Sequence, residues 1–378
     1  MIVHGAKAMR VRRCFAVDPL RSPRHGDARP ASRRAVAHVE AGLWETGRMT
    51  DTADVLVTPD ITLIDTMLGG QSGLTAAYLL RTDRLTLVET GSQTSAEGLI
   101  SVLRDRGIGP DDLDQVVLTH IHLDHCGGVG DVMQAFPRAR LYVHRRGARH
   151  LAEPARLLES SFAVYGDLAP MYGGLRPVEA ERIEAVEEGA RIPLGRGREL
   201  EVMDAPGHAR HQMALLDSHS GTLFTGDALG VRFPGSEMYP TVPPPDFDLD
   251  MSLTTLRRLA ERSAERLAIP HFGVIDDPAP AIEVAGARQA ALAEAALRGW
   301  RDGGTVEAVG QEIDRTLPVA DVVTDTPGRR RAEMTLRAGN NVPGRALWAA
   351  ARLAPPAGAW PHGARPAGPL RPVPPEGR

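Results

Sequence analysis

Six consecutive residues, His120-Ile121-His122-Leu123-Asp124-His125, place three imidazoles and one carboxylate directly after the apolar run Val116-Val117-Leu118. Imidazole and carboxylate are ligands that suit zinc and related divalent ions. Alternate side chains of an extended loop point the same way, so His120 and His122 can reach one ion together. Asp124 and His125 lie one step further on, where they could serve a second. A lone histidine is usually a satisfied surface or core residue. Three in six positions, with an aspartate among them, point to a metal site.

Such a cluster needs a strand end to carry it and other strand ends to complete it. Three later segments repeat one pattern of apolar strand, breaker and ligand type: Ala205-Pro206-Gly207-His208, Phe224-Thr225-Gly226-Asp227 and Ile269-Pro270-His271. Each alone would more often be structural. Around them, β-like runs are predicted at 61–64, 76–80 and 85–88, then a helix over 95–106 opened by a Thr94…Glu97 capping box and closed by Gly107. Strand 116–118 leads into the histidine string, strand 141–143 follows, and a helical stretch over 147–175 contains Tyr165 and Tyr172. A second set of strands is predicted from Arg182 through 200–203, 213–216 and 222–224. A proline-rich loop at 240–245 precedes a helix with Leu249, Leu253, Leu256 and Leu259 at helical spacing. Strand 267–269 ends at Pro270-His271, and the rest to 353 reads as helical. Two small sheets with helices outside, packed as a sandwich, follow from this order.

The chain of 378 residues is long enough for one large domain or two ordinary ones. A hydrophobic fraction of 42%, a charged fraction of 24% and a net charge of −4 are those of a globular protein and favour neither nucleic acid nor a membrane surface. No apolar run reaches membrane-spanning length. Arg12-Arg13 is not followed by the apolar segment of an export signal, so the cytoplasm is the expected compartment. Cys14 and Cys126 offer neither a disulfide framework nor a thiolate zinc site. Residues 1–54 read as a disordered or mis-started extension, with Met49 as an alternative start. Residues 55–275 read as the catalytic domain, 276–353 as helices packed on it, and 354–378 as a disordered Pro/Gly/Arg-rich tail.

Taken in order, the motifs HIHLDH, PGH, TGD and PHFG resemble those of the metallo-β-lactamase superfamily, and within it the glyoxalase II-like hydrolases, over residues 60–275. The resemblance implies an αβ/βα four-layer sandwich, with added C-terminal helices here. It implies that His120, His122 and His208 hold one metal, that Asp124, His125 and His271 hold another, and that Asp227 bridges the two. Glu89 stands where the family more often has aspartate and is expected either to support the ligands from behind or to be structural. Two divalent ions, zinc first with iron or manganese as alternatives, would make hydroxide available at neutral pH for attack on an ester, thioester or lactone carbonyl of a small molecule. Asp124 and Asp227 are the catalytic candidates.

The glycine-rich loop with Met67 and Leu68, together with Tyr172 and Tyr239, is expected to line the substrate pocket. The absence of lysine after Lys7 argues against glutathione as substrate, and a lactonase is the leading variant. The rival reading is a mono-iron persulfide dioxygenase-like oxidoreductase. A flavodiiron role would expect glutamate in place of His122 and a flavodoxin-like domain after it. A nuclease would need a further domain and a basic surface. His144, His150 and His211 are expected to be structural or surface residues, and the reading leaves room for a homodimer.

Overall fold

Alternation along the strands decides the architecture. In a strand successive side chains face opposite ways, and here both faces are apolar. Ile61, Leu63, Ala76, Tyr78 and Leu80 join one hydrophobic cluster, while their neighbours Ile64, Ala77 and Leu79 join another. Leu200, Val202, Met213 and Leu215 enter the first of these from the opposite side, and Met203 and Ala214 turn away into a third. Strands covered on both faces require two sheets packed together with further layers outside each.

The computed structural model describes residues 55–243, 245–318 and 341–354, and the readings of 1–54 and of the tail beyond 354 lie outside them. The first half contains β1 (Val55–Thr58), β2 (Ile61–Asp65), β3 (Ala76–Leu80), β4 (Thr86–Val88), α1 (Ala96–Asp105), β5 (Gln115–Val117), α2 (Leu123–Cys126), α3 (Val129–Ala135), β6 (Arg140–His144), α4 (Arg145–Ala152), α5 (Ala155–Tyr165), α6 (Ala169–Tyr172) and β7 (Ile183–Val186). The second contains β8 (Arg191–Gly195), β9 (Arg198–Asp204), β10 (Met213–Asp217), β11 (Thr222–Phe224), α7 (Leu249–Ala260), β12 (Arg266–Ile269) and β13 (Gly273–Ile275). Helices α8 (Pro278–Gly303), α9 (Val306–Thr316) and α10 (Asn341–Leu353) follow. Among the described residues no helix is long and apolar enough to cross a membrane.

Strands β1 to β7 form one sheet in sequence order and β13-β12-β11-β10-β9-β8 the other. This is the two-sheet sandwich with outer helices that the element order predicts. β4, β5, β6 and β7 run parallel, as do β11 and β12. Parallel pairs need crossover helices, so the loops leaving β4 and β5 emerge at one edge. In the second sheet β9 is two antiparallel steps from β11 and runs the same way, so β9, β11 and β12 also end together. The two edges are tied by backbone bonds from Met213 N to Thr119 O (2.9 Å) and from Ala76 N to Pro270 O (2.8 Å). Tyr78 adds its hydroxyl to Ile269 O at 2.7 Å.

Three details depart from the sequence reading. The helix after β4 opens through a 3-10 turn, Gln93–Ser95, and not through a capping box, because Thr94 Oγ1 donates to Met171 O at 2.6 Å. A tertiary partner has taken the cap. At its other end Gly107 (φ 77°) does terminate the helix, with Ile108 N bonding Leu103 O. The helical stretch before β7 is three helices, the first break falling at Pro154.

Candidate metal centre

Each of the seven ligand-type residues sits just beyond a strand end on the common edge. His120 and His122 follow β5, with His122 still extended (φ −71°, ψ 150°). The chain then turns into α2, so Asp124 and His125 leave in a different direction from the two histidines before them. His208 follows β9 at a turn made by Gly207 (φ 132°), where a Cβ would come within 2.5 Å of the Ser252 backbone. Asp227 follows β11 after Gly226 (φ 51°), where a Cβ would press on Thr119 Oγ1 at 3.0 Å. The breakers are glycines because the chain turns left-handed in contact with its neighbours.

The structure brings all seven together. Ligand-type atoms of His120, His122 and His208 lie within 4.8 Å of one another, as do those of His120, His125 and Asp227, and those of Asp124, His125 and His271. His122 Nδ1 is 3.0 Å from both His120 Nε2 and His208 Nε2. Asp227 lies among the histidines, 3.4 Å from His125 Nε2, 3.5 Å from His208 Nε2 and 3.6 Å from His271 Nε2. His271 Nε2 is also 3.3 Å from Asp124 Oδ2.

The far side of three of the rings is held. His271 Nδ1 donates to Leu74 O at 2.7 Å, and His208 Nδ1 to Thr241 O at 3.3 Å. His120 Nδ1 donates to Thr119 Oγ1 at 3.1 Å, and that hydroxyl donates in turn to Glu89 Oε1. The other oxygen of Glu89 lies 3.7 Å from His125 Nδ1. Buried, left-handed at φ 68°, Glu89 therefore backs two imidazoles at once. Asp227 N is fixed by Gln212 Oε1 at 3.0 Å. Such partners fix the tautomer and aim the opposite nitrogen, as they do around bound metals.

The donor set fits divalent cations. Burial and the neighbouring histidines push His120 and His122 well below the ordinary histidine value of 6.5, so they stand neutral with lone pairs facing one another. Burial also lowers His208, against the pull of Asp227. On the other side burial works against charge on His125, yet Asp227, Asp124 and Glu89 outweigh it and raise that imidazole to about 10. His271 is likewise buried, and raised by Asp227 and Asp124. Asp227 Oδ1, both ring nitrogens of His125 and Glu89 Oε2 are buried without a hydrogen-bond partner among the described residues. Unsatisfied buried donors and acceptors in native structures call for an explanation. Neutral imidazoles beside carboxylates are donors that a divalent cation takes up, displacing any proton held on a ring.

The centre opens into a cleft lined by His122, Asp124, Tyr165, Tyr172, His208 and Asp227 among others. Tyr172 stands in this wall and stacks on Tyr165 with ring centres 4.1 Å apart. The other three expected pocket residues lie elsewhere. Leu68 and Tyr239 are buried in the hydrophobic core, Tyr239 because its backbone pairs with Val231, and Met67 is half-buried outside the lining. In their place stand Val231, Thr241, Val242, Pro243 and Asn341. Asn341, from α10, carries no motif that would have singled it out. His211 is half-buried beside His122, at 5.5 Å between rings, and burial with His208 lowers it to about 3. Buried His144 faces Asp204 at 3.3 Å.

The profile of the metallo-beta-lactamase superfamily matches residues 71–271, more than half of the chain. The chain belongs to that superfamily. Its members are metal-dependent enzymes, mostly hydrolases, with some oxidoreductases. A metallo-beta-lactamase fold-containing protein of Sulfurisphaera tokodaii is 34% identical over 169 residues, which are 44% of this chain and 62% of that one. The present chain thus spans less than two thirds of that relative. A metallo-beta-lactamase family protein of Thermus thermophilus shares the fold with a TM-score of 0.52 at 26% identity, over 64% of this chain and 83% of that one. A diflavin flavoprotein of Synechocystis sp. is 27% identical over 45% of this chain but only 26% of its own length.

Proposed function

We propose that the protein is a binuclear metal-dependent hydrolase acting on an ester, thioester or lactone carbonyl of a small molecule. The observation that carries this reading is the position of Asp227, whose carboxylate lies within 3.6 Å of histidines from both ligand groups. On this reading His120, His122 and His208 would hold one ion and Asp124, His125 and His271 the other, with Asp227 between the two groups. Divalent ions held there, zinc foremost, would lower the pKa of a bound water toward about 7 and polarise a substrate carbonyl.

The chain's own residues do the rest. Asp227 orients the attacking water by accepting its hydrogen bond. Tyr165 and Tyr172 present a stacked aromatic wall to the acyl group, and burial raises both phenols so that they stay protonated. The apolar members of the wall, Val231, Val242 and Pro243, exclude water from the far side of the substrate. Lactones suit this cleft as the leading substrate variant, since half-apolar walls and a carbonyl-directed centre match a small cyclic ester.

A panel of thioester, lactone and β-lactam substrates, run beside elemental analysis of the purified protein, tests the proposal. Hydrolysis of a carbonyl ester with two zinc ions per chain is the expected result. One iron per chain with oxygen uptake and no hydrolysis would replace the hydrolase with the persulfide dioxygenase-like reading.

A further inference from the structure

Arg345 on α10 is wholly buried, and among the described residues no carboxylate pairs with it. Burying a guanidinium without a counter-charge is costly. Burial accordingly pushes its pKa down to about 10. Among the described residues its Nε and Nη1 have no hydrogen-bond partner. What it does hold is main chain: Nη2 donates to Pro240 O at 3.1 Å, with Gln289 Oε1 at 3.5 Å and the Phe247 ring 5.8 Å away.

One turn earlier on the same helix face, Asn341 Oδ1 accepts from Val242 N at 2.6 Å. The two contacts flank Thr241. The carbonyl of Thr241 accepts from His208 Nδ1 at 3.3 Å, and its hydroxyl lies 3.4 Å from the same nitrogen. With Nδ1 so engaged, His208 Nε2 faces His122 Nδ1 at 3.0 Å and Asp227 Oδ2 at 3.5 Å. Thr241, Val242 and Pro243 also form part of the pocket wall, alongside Asn341 itself.

We infer that Asn341 and Arg345 are positioning residues of the metal centre, clamping the main chain on either side of Thr241 so that its carbonyl aims His208. The C-terminal helix thereby belongs to the active site, although it supplies no ligand. The inference rests on the binuclear reading above, in which His208 serves one of two ions.

The test is competition for zinc between the metal-free full chain and a chromophoric chelator. Arg345→Met keeps volume and removes the donor, and Asn341→Ala removes the acceptor. Each should weaken the ion that depends on His208 by about tenfold, the usual cost of losing a partner behind a ligand, and leave the other ion unchanged. His208→Ala should abolish the first ion's uptake, and adding Arg345→Met to it should leave affinity for the second ion unchanged, since the clamp acts only through His208. Wild-type zinc affinity in both single variants, or a further loss of zinc from Arg345→Met in the His208→Ala background, overturns the clamp. So does a lowered melting temperature of metal-free Arg345→Met with zinc affinity unchanged, which would mark a purely structural arginine. Should Arg345→Met not fold, Asn341→Ala decides alone. Zinc uptake that is indifferent to His208 itself overturns the binuclear reading, and the clamp with it.

Discussion

The two halves of the centre are built from the same imidazole but hold it in opposite states. Around His120, His122 and His208 the neighbours are mainly other histidines, and burial keeps the rings neutral. Around His125 and His271 stand Asp227 and Asp124, with Glu89 also behind His125, which outweigh burial and raise both rings, His125 to about 10. One half is ready for a cation. The other already carries positive charge, as protons that a cation would displace. The contrast arises from which strand ends meet: β5 and β9 bring imidazoles together, whereas α2 turns Asp124 and His125 toward Asp227 and His271.

Asp227 belongs to both halves, so Asp227→Asn should have the largest effect. Hydrolysis should fall by more than the about 10–100-fold cost of losing a supporting partner, and both zinc affinities should weaken together in the same chelator titration. Next in size is a split between single-side variants. His122→Ala should remove one zinc and leave a protein that still takes up the other, while His271→Ala should do the converse. Elemental analysis that finds both ions lost in each variant would erase the distinction between the halves.

The protonation contrast makes a smaller, pH-dependent prediction for the metal-free protein. His125 is raised from 6.5 to about 10, so the stability it contributes is fully present below 6.5 and is lost as pH rises through about 10. His120 and His122 are lowered, so the stability linked to their neutral form is present above 6.5 and is lost as pH falls. Melting temperatures of the metal-free chain should therefore decline on both sides of neutrality, and zinc loading should remove the alkaline decline. A flat alkaline limb without metal would show that His125 is not held protonated. Smallest of all, Glu89→Gln should weaken both ions by about tenfold, because Glu89 backs His120 through Thr119 and His125 directly. Loss confined to one ion would place Glu89 on one side only.

Much of this was legible in the sequence because the ligands obey local rules. A strand followed by a breaker and a ligand type is visible in a dozen residues, and three such segments with the HIHLDH string contain the seven side chains that the family resemblance singled out. The pocket was not legible in the same way. Leu68 and Tyr239 have the right types for a wall, but the turn after β2 and the bridge to Val231 send them into the core. Asn341 and Arg345 reach the site from α10 through two backbone contacts, and no local spacing encodes a contact made across about a hundred residues. Thr94 looked like a cap and spends its hydroxyl on α6 instead. Local pattern locates chemistry; tertiary pairing decides what surrounds it.

The contrast between the halves is tested most directly by calorimetric titration of the metal-free chain with zinc, in buffers of differing ionisation enthalpy so that released protons are counted. Two binding events are expected, one releasing few protons from neutral His120, His122 and His208, the other releasing more from His125 and His271. A single event, or two with equal proton release, would contradict a centre made of unlike halves joined at Asp227.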